Sequence, residues 1–281
     1  MIRKLLFFAL LCLMAGAPAR AFPPAPYYTL YGTVRDQVGQ TITAQGAEII
    51  LLKGAEELGR TPIDSTNRLE QNYELRIRLD HNRSGTTIYS EKAVAAQGLF
   101  SLAVEMNGSR YYPIEVTGNL TAGKGGETVR LDLNLGEDLD GDGLPDVWEA
   151  WQLYQAGYLP DGNGNWPLDL LSRNGDFDRD GLTDWFEYVA GTFAGDATER
   201  FSLEIKEKLA ASVRFEFYAI TGKTYTIEKS ADMKDWAQVP FALDAPGSGL
   251  PAQRSTEVGI RSAFAVPTAV GTKEFYRLTV R

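Results

Sequence analysis

The chain has 281 residues, 44% hydrophobic and 23% charged, with one cysteine, one histidine and a formal net charge of −9. These counts are enough to build real cores, and they exclude a disordered, collagenous or disulfide-scaffolded chain. The negative balance argues against a nucleic-acid backbone or an anionic membrane surface as partner, since both need clustered Lys and Arg.

Arg3 and Lys4, the apolar run Leu5–Met14 and the Ala19-Arg20-Ala21 site predict a secretory signal peptide over residues 1–21, with an apolar core too short to span a bilayer comfortably. Its removal takes away Arg3, Lys4 and Arg20 and no acid. The 28 basic residues become 25 against 37 acidic ones, a net of −12. Cys12 leaves with it, so the exported chain must hold itself together without disulfides. No membrane span is expected after signal removal. The expected location is extracellular or at the cell surface, with free secretion and periplasmic retention both left open.

Residues 22–136 read as strands after a Pro-rich start. Leu30, Gly32 and Val34 alternate with Tyr31, Thr33 and Arg35, and Tyr73, Leu75, Ile77 and Leu79 alternate with Glu74, Arg76, Arg78 and Asp80. This period of two marks half-buried strands. Ala47–Leu52, Leu99–Val104, Tyr111–Val116 and Val129–Leu135 complete six or seven short runs, an antiparallel sandwich pattern. From Glu137 to Asp196 the alternation stops, and acids, glycines and tryptophans concentrate. Strands return in residues 197–281 at Phe201–Ile205, Val213–Phe217, Tyr225–Lys229 and Glu274–Val280.

Inside residues 137–196 one pattern, D-x-D-x-D-G-L-x-D-x-x-E, occurs twice without exception, at Asp138–Glu149 and Asp176–Glu187. A hard cation taking about seven oxygens needs carboxylates at alternating positions of a tightly coiled loop. Asp138, Asp140 and Asp142 would supply positions 1, 3 and 5, the Leu144 carbonyl position 7, Asp146 position 9 and Glu149 a bidentate position 12. Asp176, Asp178, Asp180, Leu182, Asp184 and Glu187 repeat those roles, and Gly143 and Gly181 make the sharp turn at position 6. Five carboxylates within twelve residues repel one another strongly, and Ca²⁺ suits them better than Mg²⁺, which prefers fewer protein ligands. Two Ca²⁺ are expected, one per loop.

The loops depart from a true EF-hand, because the segment before the first one is strand-like. Only the exit segments, Val147 to Leu153 and Trp185 to Val189, read as helices. A duplicated loop with an exit helix resembles the thrombospondin type-3 and dockerin-like (EF-hand-type) calcium-binding repeats of secreted proteins. Dockerins carry small polar residues near loop positions 10 and 11. Here Val147 and Trp148, and Trp185 and Phe186, are expected to pack the exit helices. Tyr31–Asp36 with Gly46–Leu51 resembles the opening of carboxypeptidase-regulatory-like or Ig-like sandwiches. Tyr225–Ser230 with Asp232, Trp236 and Phe275–Leu278 is similar to C-terminal β-modules of secreted bacterial proteins.

The resulting expectation is a mainly β chain with two β-sandwich domains, Ig-like or carboxypeptidase-regulatory-like, at 22–136 and 197–281. The calcium-binding loop-helix insert at 137–196 joins them. The expected role is structural or adhesive, with two Ca²⁺ rigidifying the connection. The alternative is a carbohydrate-binding or dockerin-like assembly module accessory to an extracellular enzyme system. Calcium is the expected ligand, with an extracellular protein or a polysaccharide as partner. Trp166, in the Gly/Asn-rich loop Gly162–Pro167, is the candidate sugar platform or lid, whereas Trp148, Trp151 and Trp185 sit at core-like helical spacing.

No enzymatic activity is expected. His81, in the turn-like stretch Asp80–Gly85 with Ser84 nearby, has no triad spacing around it, and no nucleophile or zinc motif occurs. Asn82-Arg83-Ser84, Asn107-Gly108-Ser109 and Asn119-Leu120-Thr121 fit glycosylation triplets that chance alone produces often.

Overall fold

Strand Tyr28–Gly32 buries every second residue and turns Thr29 and Tyr31 outward, as its alternating sequence dictates. It belongs to a computed structural model that describes residues 26–64, 70–80, 92–116, 118–266 and 273–281. The expected signal peptide, His81, Ser84 and the Asn82-Arg83-Ser84 triplet lie outside the described residues. Tyr28–Gly32 pairs antiparallel with Tyr73–Ile77 and parallel with Thr128–Arg130. The parallel ladder continues between Val34–Arg35 and Leu133–Asn134. A second sheet runs in the order Leu120–Thr121, Leu99–Met106, Glu48–Lys53, Glu56–Pro62, with Ser109–Tyr111 added to Leu99–Met106. Side chains from these strands, among them Leu30, Val34, Ile49, Leu51, Ile77, Leu102 and Leu133, form one buried cluster.

Two expectations need correcting here. The first part of the chain is not purely antiparallel, because its last strands return beside its first ones in the same direction. Alternation sets which face is buried and carries no information on strand direction. Nor is Tyr111–Val116 one strand. The strand ends at Tyr111, Pro113 keeps only an isolated bridge to Leu135, and Ile114–Val116 forms a 3-10 turn just after that proline, which has no N–H to give to a ladder.

Two helices lie among the described residues, Asp146–Gln155 and Asp184–Ala190. Thr183 caps the second, accepting from Phe186 N at 3.2 Å, and Gly191 closes it in the left-handed conformation at φ 80°, as C-terminal glycines do. Leu144, Trp148, Leu153, Leu171, Tyr188 and Ala194 make a small core of their own between the helices.

The last part of the chain has two sheets. One runs Glu204–Lys208, Val213–Ala219, Gly259–Ala265, Phe241–Leu243; in the other, Thr224–Ser230 pairs with Ala237–Val239, Gln253–Arg254 and Phe275–Val280. Phe215, Phe217, Tyr225, Ile227 and Phe241 fill their core, joined by Ala190, Phe186 and Val189 of the second helix. The expected strand at Phe201 begins later, at Glu204. Phe201 and Leu203 pack against this core instead, while Glu204–Lys208 is an exposed edge rich in charge.

Candidate metal centre

Each acidic loop is shaped by its own carboxylates. The first aspartate folds the loop around itself: Asp138 Oδ1 accepts from Gly141 N (2.8 Å) and Asp142 N (3.1 Å), and Oδ2 from Gly143 N (3.1 Å). In the second copy Asp176 Oδ1 accepts from Asp180 N (3.1 Å) and Oδ2 from Gly181 N (3.0 Å). The fifth residue does the same locally, Asp142 Oδ1 taking Leu144 N and Asp180 Oδ1 taking Leu182 N, both at 2.7 Å. Gly143 and Gly181 have φ of 94° and 98°, a turn any side chain would strain.

These turns converge the carboxylates. One oxygen from each of Asp138, Asp140 and Asp142 lies within 4.8 Å of the others, and Asp176, Asp178 and Asp180 form the same triad. The position-9 aspartates clamp the loops shut. Asp146 Oδ1 accepts from Leu139 N, and Asp184 Oδ1 from Phe177 N, both at 2.9 Å, and Asp184 Oδ2 also takes Ser172 N at 2.9 Å. Leu144 is fully buried at the base of the first loop, while Leu182 is partly exposed.

Glu149 and Glu187 stand at the first turn of their helices with no solvent exposure, and neither carboxylate oxygen of either residue has a hydrogen-bond partner. Burial pushes Glu149 up to about 9 and Glu187 to about 8. Repulsion from Asp142, Asp140, Asp146 and Asp138 adds to the first, and from Asp178, Asp180, Asp184 and Asp176 to the second. Asp140, Asp142, Asp178 and Asp184 are also raised, by burial first. A buried carboxylate with no donor, repelled by four others, is costly unless a cation supplies the missing charge. This all-oxygen donor set fits a calcium-sized hard cation.

Several contributors carry no sequence signal, because they come from elsewhere in the chain. Arg173 N donates to Asp142 Oδ2 at 3.1 Å, so the approach to the second loop braces the first. The Arg173 guanidinium lies 3.5 Å from the centre of the Trp185 ring. Gln152, fully buried, accepts from Ala194 N at 2.9 Å and ties the first helix to the end of the insert. Tyr188, next to Glu187, donates its O–H to the Asp36 carbonyl at 2.8 Å. At φ 79°, Gly39 brings its backbone against Tyr188 so closely that a Cβ there would meet the Tyr188 carbonyl at 2.5 Å. Lys223 Nζ donates to the Gly39 carbonyl at 2.7 Å. The second helix therefore touches both β-rich parts of the chain.

The aromatic residues divide. Trp148 is buried edge-on against Tyr188 at 5.5 Å, and Trp185 lies tilted on Tyr188 at 5.4 Å. Trp151, expected in the core, is 51% exposed, because it points away from the face that buries Trp148, Glu149, Gln152 and Leu153. Trp166 packs on the insert core and meets Tyr154 edge-on at 6.5 Å. Its loop begins like the two acidic ones: Asp161 accepts from Asn163 N and Asn165 N, and Gly164 has φ 90°. It then diverges, with Trp166 where the others have glycine and Ser172 where they have glutamate.

No known family matches the chain, and no curated protein or solved structure matches it significantly. Among the described residues, no helix is long and apolar enough to cross a membrane.

Proposed function

We propose that this is an exported, non-enzymatic calcium-binding protein in which two Ca²⁺ ions fix the geometry between two β-sandwich units. One observation carries the reading: the twice-repeated arrangement of three converging aspartates over a glutamate that is wholly buried and has no hydrogen-bond donor. Asp138, Asp140, Asp142, the Leu144 carbonyl, Asp146 and Glu149 would hold one ion. Asp176, Asp178, Asp180, the Leu182 carbonyl, Asp184 and Glu187 would hold the other. Bound calcium supplies the positive charge that these carboxylates otherwise lack.

The mechanism is linkage. The loops bind metal when folded, so calcium stabilises the folded insert, by about 1.4 kcal/mol per site at ten times its Kd. Glu187 is the last ligand of the second loop and Tyr188 the next residue, whose hydroxyl holds the Asp36 turn. Phe186 and Val189 of the same helix pack on the C-terminal core. Ordering that helix therefore orders both neighbours, which suits a spacer in an adhesive or surface-display protein. Extracellular calcium modules bind at about 10⁻⁴–10⁻³ M, an affinity suited to a permanently occupied structural ion in a calcium-rich medium.

The test is calorimetric titration of the chelated protein with Ca²⁺ and, separately, Mg²⁺, with a thermal melt at each metal level. The expected result is two equivalents of Ca²⁺ and a raised melting temperature, with a weaker response to Mg²⁺. No heat and no shift at millimolar Ca²⁺ would overturn the reading.

A further inference from the structure

The first helix carries a second face that the calcium reading does not use. Val147, Trp151 and Tyr154 follow one another at i, i+4 and i+7, within about a 60° arc opposite the buried face. Trp151 and Tyr154 are 51% and 58% exposed, and Val147 extends the same stripe. The two rings are fixed from below, Trp151 edge-on against Phe193 at 6.2 Å and Tyr154 edge-on against Trp166. Rings held this way lose little freedom when something covers them.

Charge decides what that something is. Residues 131–172 contain no Lys, Arg or His, and residues 137–196 hold fourteen acidic residues against two basic ones. Even two Ca²⁺ would leave the insert strongly negative. The loop that supports each ring carries an aspartate. The Phe193 turn carries Asp196, whose N–H donates to the Phe193 carbonyl, and the Trp166 loop is closed by Asp161, which accepts from Asn163 N and Asn165 N. Hydrogen bonds from Asn165 and Thr198 hold the Asp161 and Asp196 carboxyls below the usual carboxylate range, so both are charged at neutral pH.

Aromatic faces flanked by ionised carboxylates recognise guanidinium and ammonium groups, through the ring quadrupole and charge-assisted hydrogen bonds together. A second copy of this chain is a poor occupant, because an isologous contact would bring two acidic inserts together. A neutral glycan would use the rings and leave the carboxylates idle.

We propose that the Val147–Trp151–Tyr154 face, backed by loops that carry Asp161 and Asp196 within a strongly acidic insert, is a docking surface for an Arg- or Lys-bearing segment of a partner protein. The cations would lie over Trp151 and Tyr154.

The probes are a deca-arginine peptide and its uncharged deca-citrulline counterpart, titrated into the calcium-saturated protein while Trp fluorescence is recorded. Deca-arginine is expected to bind and deca-citrulline not. Trp151→Ala with Tyr154→Ala should weaken deca-arginine binding about tenfold, as the loss of two cation–π contacts implies. Asp161→Asn with Asp196→Asn should reduce its salt dependence, whereas Asp235→Asn, an exposed charge elsewhere, should leave binding unchanged. Equal weakening by Asp235→Asn would reveal a generic charge effect and overturn the proposal. Binding indifferent to the ring substitutions, self-association through this face, or capture of a neutral cello-oligosaccharide in place of deca-arginine would do the same. Calcium stoichiometry measured on each variant separates this outcome from the calcium reading, since none of these side chains belongs to either loop.

Discussion

Arg179 holds the backbone conformation that Gly141 holds at the same loop position, φ 66° against 79°. A non-glycine residue in the left-handed region costs about 1–2 kcal/mol, and a glycine there gives back part of that gain through its freer unfolded chain. Arg179→Gly is therefore expected to raise stability by up to about 1 kcal/mol with the calcium stoichiometry unchanged, as read from thermal melts with and without metal. A clear loss would show that the arginine side chain contributes more than its backbone strain costs. Single residues also show the limits of sequence reasoning. Trp148 and Trp151 look alike on paper, three residues apart on one helix, yet one is core and the other surface. Which part of an aromatic-rich helix faces inward depends on neighbours such as Tyr188 that arrive from elsewhere.

At the scale of one element, the local turns of the acidic loops follow from their spacing. Most of their hydrogen bonds close within twelve residues, so the spacing gathers Asp138, Asp140 and Asp142, and likewise Asp176, Asp178 and Asp180, while Arg173 N and Ser172 N reach in from outside. The helices after them were legible for the same reason. Strand direction was not, since the parallel pairing of Tyr28–Gly32 with Thr128–Arg130 joins residues a hundred positions apart. The bond from Arg173 N to Asp142 was equally invisible, though it makes the two loops one unit. Within such a unit, Glu149→Gln should have opposite effects with and without metal. Replacing a buried, donor-less carboxyl that must take up a proton to fold at neutral pH should stabilise the metal-free protein by about 1–2 kcal/mol. Losing the proposed bidentate ligand should abolish one of the two expected calcium equivalents. Chemical unfolding in chelator and calorimetry in calcium check the two halves, and a metal-free variant weaker than the parent would refute the buried-carboxyl account.

Across the whole molecule, the parts meet through polar groups that no motif announces. Besides Tyr188 and Lys223, Glu70 Oε1 accepts from Thr226 Oγ1 and Gln238 Nε2, each at 3.1 Å. Lys223 is the most consequential of these. It is 1% exposed, and burial pushes it down to about 7, with Arg35 adding repulsion and Asp36 opposing. The unfolded chain thus holds a proton that the folded one releases between about pH 7 and the ordinary 10.5. Stability at this site rises with pH across that window. Lys223→Met should remove the rise and stabilise the protein by about 1–2 kcal/mol at pH 6. Urea unfolding at pH 6 and pH 10 measures both effects. A variant less stable at pH 6 would mean that the bond to the Gly39 carbonyl outweighs the buried charge.

The parallel ladder between residues 28–35 and 128–134 has a mechanical consequence. Tyr28 and Asn134 lie at opposite ends of that ladder, so tension applied between them runs along the strands. Its hydrogen bonds would be sheared together, whereas an antiparallel hairpin pulled at its open end unzips one bond at a time. A protein tethered at its amino end and pulled through its acidic insert would therefore meet its stiffest element first.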